Sequence, residues 1–123
     1  MSQRAVLAGI LRRVVRARAQ GLRPLVLLDV DDTILATALR HVRILSEFAA
    51  SRPAAAALAS VRPEHMRYQV TDTAKAAGVS DPGLLAELKD FWFKRFFTNA
   101  YLAEDGEVPG AAEFCRRIAA DGG

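Results

Sequence analysis

Apolar residues recur with a helical period at the start of the chain. Val6, Leu7, Ile10, Leu11, Val14 and Val15 fall on one face of residues 3–20, and Arg12, Arg13 and Arg16 on the other. Gly21 is the expected stop. Pro24 then opens an unbroken apolar run, Leu25 to Leu28, which with the β-branched Val26 and Val30 predicts a strand buried on both faces of a parallel sheet. The helical period resumes after Leu35, with Ala38, Val42, Leu45 and Ala49 inside and Arg40, Arg43 and Glu47 outside, and Thr37 at the N-cap. Arg52-Pro53 ends this helix, Ala54–Ala59 predicts a short alanine-rich one, and Arg62-Pro63 breaks again. A third helix is expected from Pro63 to Ala77, stopped by Gly78. Asp81-Pro82 starts the next, which carries Leu84, Leu85, Leu88, Phe91, Trp92, Phe93, Phe96 and Phe97 around more than one face. Asn99 to Gly106 reads as irregular, and Val108-Pro109-Gly110 leads into a last helix, Ala111–Ala120.

The apolar run stops on three carboxylates, Asp29, Asp31 and Asp32. In an open α/β sheet ligands collect at the carboxyl ends of strands, so acids there are aimed at a site. Asp29 and Asp31 point the same way if the extended conformation persists. Two like charges so placed call for compensation, which a divalent cation supplies most directly. Asp29 could then serve as nucleophile and Asp31 as proton donor and acceptor. Capping the next helix needs only one acid, which leaves the crowding of three unexplained.

Asp29-Val30-Asp31-Asp32-Thr33 after Leu25-Val26-Leu27-Leu28 resembles the first motif of the haloacid dehalogenase (HAD) superfamily, a hydrophobic strand followed by D-x-D-x-T. The resemblance implies an α/β, HAD-like Rossmannoid core with an inserted α-helical cap, and Mg²⁺-dependent phosphohydrolysis through an aspartyl-phosphate. Asp29 would attack phosphorus, and its carboxylate would bind Mg²⁺. Asp31 would protonate the leaving oxygen and then activate water, its carbonyl also binding Mg²⁺. Thr33 would support the turn. The second acid favours a phosphatase of a small phosphorylated metabolite over a dehalogenase. On the same reading residues 1–35 are an N-terminal helix and the first core strand, 36–106 the helical cap, and 107–123 the start of the returning core. The stretches Phe91–Phe97, Tyr101-Leu102 and Val108–Ala111 resemble the exit from such a cap.

Composition limits the alternatives. The chain has 123 residues, room for one domain, and 51% are hydrophobic, enough for a modest core. No apolar stretch is long enough to span a bilayer, so no membrane partner is expected. Cys115 is the only cysteine, which fits a reducing compartment. Arg12-Arg13 directly after a short apolar stretch argues against a signal peptide, so the location expected is cytoplasmic. The net charge is +3, and residues 1–28 hold six arginines and no acid, whereas the rest balances to −3. That rest offers no basic stripe, so the arginines read as a solvated helix face and no nucleic-acid partner is expected. His41 and His65 stand apart, without metal-ligand spacing.

The sequence also departs from the family. A Ser or Thr at the end of a second strand, a phosphate-neutralising Lys and a further acidic pair cannot be assigned, since Lys75, Lys89 and Lys94 all lie in the expected cap. A lone buried strand leaves its backbone without ladder partners. The expectation is therefore an N-terminal fragment, mostly helical and inactive alone. Two other function classes are open: a non-catalytic binding module derived from a HAD-like protein, and a nucleotide-sugar transferase using Asp29-Val30-Asp31 as its metal motif. The second normally needs a nucleotide-binding half before the motif, and only 28 residues precede it.

Overall fold

The computed structural model describes residues 1–123 as a mostly helical chain of two compact units. One comprises Met1–Leu35 with Glu107–Gly123, and the other Ala36–Gly106. The chain passes between them twice, through two-residue strands β1 (Leu35–Ala36) and β2 (Gly106–Glu107), which pair as an antiparallel two-stranded sheet.

In the first unit, α1 spans Gln3–Ala19, with the Ser2 hydroxyl accepting from the Ala5 N–H at 3.2 Å as its N-cap. Gly21 sits at φ 75°, where the Leu22 N–H reaches the Ala17 carbonyl and its own N–H reaches Arg18, both at 3.0 Å. These two bonds form a Schellman closure that satisfies carbonyls the helix end would otherwise leave open. The last helix, α6 (Ala111–Ala120), starts as the sequence predicts, but its N-terminus is capped from outside the turn: the Glu107 carboxylate accepts from the Ala112 N–H at 3.0 Å. Val14 of α1 and Ile118 of α6 are the buried residues of this unit.

The second unit holds the main core. It contains α2 (Ala38–Ser51), a 3-10 helix over Pro53–Ser60 and a single 3-10 turn at Pro63–His65. Beyond these come α3 (Val70–Ala76), α4 (Pro82–Phe96) and the one-turn α5 (Asn99–Leu102). Leu45, Phe48, Leu58, Val70, Ala74 and Leu88 belong to one continuous buried cluster, and Phe91 meets Phe48 edge-on at 5.2 Å between ring centroids. The predicted start of α4 is found: Asp81 accepts from the Leu84 N–H at 2.9 Å, with Pro82 in the first turn.

Four expectations need correction. Residues 22–30 form no strand, and no core of the α/β class is shown around them; the expected mostly helical chain is found, with β1 and β2 as its strands. The reason is the missing ladder, since a strand exists only where a neighbour pairs with it. The predicted helix Pro63–Ala77 is interrupted at residues 66–69, because the Arg67 N–H bonds the Thr73 hydroxyl at 2.9 Å instead of a helical carbonyl. Asn99–Gly106 contains a helical turn rather than none. Finally, Arg40 is inside: the buried face of α2 runs through Arg40, Ile44, Leu45, Phe48 and Ala49. No helix is long and apolar enough to cross a membrane.

Candidate active site

The candidate residues lie where the segment from Gly21 turns into β1. Side chains alternate there: Leu25, Leu27 and Asp29 are exposed, while Pro24, Val26 and Leu28 are half-buried. Exposure reaches 81% at Leu25 and 85% at Leu27, so this is not a strand buried on both faces. The period of two is nevertheless that of an extended chain.

After Asp29 the backbone closes on itself. The Val30 carbonyl accepts from three N–H groups, Thr33 at 3.3 Å, Ile34 at 2.9 Å and Leu35 at 3.0 Å, and the Asp32 N–H donates to the Leu35 carbonyl at 2.7 Å. Asp31 and Leu35 form a parallel bridge across the turn. Asp32 sits at φ 60°, the left-handed region that aspartate tolerates better than most residues. That gives Asp32 a conformational task in closing the turn. Thr33 supplies its N–H to the same turn and is exposed. The Val108 N–H bonds the Ile34 carbonyl at 2.8 Å and ties the end of the turn to the returning chain.

Asp29 and Asp31 are thus two sequence positions apart, both exposed, at the mouth of a turn fixed by main-chain hydrogen bonds. Mg²⁺ demands about six oxygen ligands in near-octahedral order. No group of three or more acidic, histidine or cysteine side chains converges anywhere in the chain. Two carboxylates and one carbonyl offer part of a shell, so the residues present do not by themselves make the Mg²⁺ site that the resemblance implies.

Other polar clusters belong to the second unit. Arg40 donates from Nε to Asp105 Oδ1 at 2.9 Å, contacts the second carboxylate oxygen through Nη2, and donates from Nη1 to the Phe96 carbonyl at 3.1 Å. Both side chains are 3% exposed, and the guanidinium lies 4.2 Å from the Phe96 ring centroid. Sequence reasoning missed this pair. The available signal was that Ile44 and Phe48, the bulkiest apolar residues of α2, lie four and eight positions after Arg40 and so share its face.

Tyr101 donates to Glu47 Oε2 and stacks against Arg43, whose guanidinium is 4.3 Å from the ring centroid. The bond to Glu47, with burial and the nearby negative charge behind it, raises the Tyr101 pKa above its usual 10.0. His41 accepts at Nδ1 from the Trp92 indole N–H at 3.0 Å, a packing role. A cavity of about 530 Å³ opens beside Ser60, Glu64, His65, Arg67 and Thr73. None of Asp29, Asp31 and Thr33 lines it.

Compared with family models, curated proteins and solved structures, the chain matches none of them.

Proposed function

We propose that Asp29 and Asp31 are the nucleophile and the acid–base of a HAD-type phosphohydrolase acting on a small phosphorylated metabolite. The observation that carries the reading is the D-x-D-x-T pattern after an apolar run, with both carboxylates exposed where the backbone turns. An Asp29 oxygen would attack phosphorus as the bond to the leaving oxygen breaks, and Asp31 would give that oxygen its proton. Water would then attack the aspartyl-phosphate, losing a proton to Asp31 and releasing inorganic phosphate. The resemblance implies Mg²⁺ to offset the phosphate charge. The second unit would act as the cap that selects substrate.

The test is Mg²⁺-dependent hydrolysis of an aryl phosphate by the chain and by the longest product of its gene. Activity lost in Asp29→Asn is the expected result; activity retained in that variant rejects the assignment.

A second reading is a non-catalytic binding module. It is favoured by two exposed aromatic residues at the end of α4, Phe93 at 62% and its C-cap Phe97 at 64%, whose rings meet edge-on. Absence of phosphatase activity in every product of the gene, with a partner lost on Phe93→Ser, would select it.

A further inference from the structure

Residues 23–29 combine three features. Their main chain makes no hydrogen bonds within the molecule. The exposed positions are Arg23, Leu25, Leu27 and Asp29, alternating with the half-buried Pro24, Val26 and Leu28. None of the chain's ion pairs uses Arg23 or Asp29. An open backbone edge beside exposed leucines is a template for another strand.

The order of the exposed residues specifies which strand. Read forwards it is basic, apolar, apolar, acidic; read backwards against itself, each charge meets its opposite and each leucine meets a leucine. We propose that this segment is a self-recognition edge, pairing antiparallel with the same segment of a second copy about a two-fold axis at Val26. In this register Arg23 lies opposite Asp29 of the other copy and Leu25 opposite Leu27, twice each by symmetry.

Pro24 fixes the hydrogen-bonding phase. In an antiparallel ladder alternate residues carry the bonds, and a residue's N–H and C=O point to the same side. If Val26 faces its symmetry mate as a non-bonded pair, the bonded pairs are Arg23 with Asp29 and Leu25 with Leu27. Pro24 then faces Leu28 at a non-bonded position, where its missing N–H costs nothing. The opposite phase would place the proline in the ladder. Charge order, apolar order and proline position therefore select one arrangement. Because a single two-stranded ribbon is marginal by itself, the association depends on concentration.

The pairing engages Asp29, the proposed nucleophile, so the two readings share that residue; mass and amide exchange test the pairing without recourse to activity. Sedimentation of the full chain should show a monomer–dimer equilibrium. Arg23→Asp alone and Asp29→Arg alone each place like charges opposite one another and should shift the equilibrium at least tenfold toward monomer, a shift that about 1.4 kcal/mol would produce. An equimolar mixture of the two variants should recover a heterodimer, because every cross-strand pair is then of opposite charge. In the dimer the amides of Leu25, Leu27 and Asp29 should exchange slowly while those of Val26 and Leu28 stay fast. A wild-type chain that remains monomeric at every concentration overturns the proposal and leaves the edge to a different strand. So does a dimer unmoved by either charge reversal, or a mixture of variants that fails to associate although both are folded.

Discussion

Arg40 and Asp105 face each other across a bidentate contact that spans 65 positions of sequence and lies almost wholly out of water. The pair joins the first turn of α2 to the segment after α5, and the third Arg40 bond fastens the end of α4 to the same point. Removing one partner strands a buried charge. Arg40→Ala should therefore destabilise the second unit by about 3–5 kcal/mol, whereas replacing both residues by apolar ones of similar volume should recover most of the loss. Urea unfolding of the single and double variants measures the difference. A single variant as stable as wild type would remove the pair from the account of this fold.

The Tyr101–Glu47 bond makes stability depend on alkaline pH. With its pKa raised in the folded state above 10.0, Tyr101 keeps its proton in conditions where the unfolded chain has begun to lose it. The contribution is fully present below the unfolded value near pH 10 and is lost as pH rises through the higher folded value. Tyr101→Phe should lower stability at neutral pH and flatten the decline above about pH 10. The quantity that isolates Tyr101 from other alkaline titrations is the difference between the two urea-midpoint curves against pH.

Aromatic residues of the second unit separate into core and surface. Phe48 is fully buried, and Phe48→Ala should cost about 3–5 kcal/mol through lost transfer energy and the cavity left behind. Phe93 is mostly exposed, and Phe93→Ser should change stability by less than about 1 kcal/mol. Thermal unfolding of the two variants side by side checks the contrast.

The two carboxylates at the turn should bind Mg²⁺ weakly in the 123-residue chain, with most of the shell supplied by water. Calorimetry that finds tight binding would mean a third ligand is recruited, with Asp32 the nearest acid. In a catalytically competent product of the gene, Asp31→Asn should slow hydrolysis of alkyl phosphates by about 10²–10⁴-fold. Equal rates on those substrates, whose leaving oxygens need a proton, would reject the acid–base role.

Local signals were readable in the sequence. Asp81-Pro82 marked the start of α4, Gly21 and Gly78 marked the stops of α1 and α3, and Val108-Pro109-Gly110 marked the lead into α6, whose expected bounds are the observed ones. Each of these depends on neighbours within a turn or two. What failed depended on distant partners. Arg40 shares the face of Ile44 and Phe48, but its charge read as surface because nothing near it announces Asp105. The helix expected from Pro63 yields at residues 66–69 to a side-chain bond from Thr73 that competes with the helical carbonyls. Leu25–Leu28 has strand composition, but composition cannot provide the neighbour that makes a strand. At the candidate site the acids were legible as a pattern, while the left-handed backbone at Asp32 was visible only once the turn was seen closed.

The doubled crossing at β1 and β2 has a bearing on the order of folding. Ala36 and Gly106 are the two ends of the second unit, and they lie in paired strands. That unit is an uninterrupted length of chain, so it can form from its own residues as soon as they are available. The first unit is split, and its two parts meet only after the ends of everything between them are gathered. Closing so long an unstructured loop carries an entropic cost that rises by about 0.6 kcal/mol for each doubling of length. Once α2, α3 and α4 are in place that loop has become a short clasp, and Ile34 and Val108 are delivered to each other already at bonding distance. Damage to the core of the second unit should therefore slow the meeting of Ile34 with Val108, through the longer loop that must then be closed.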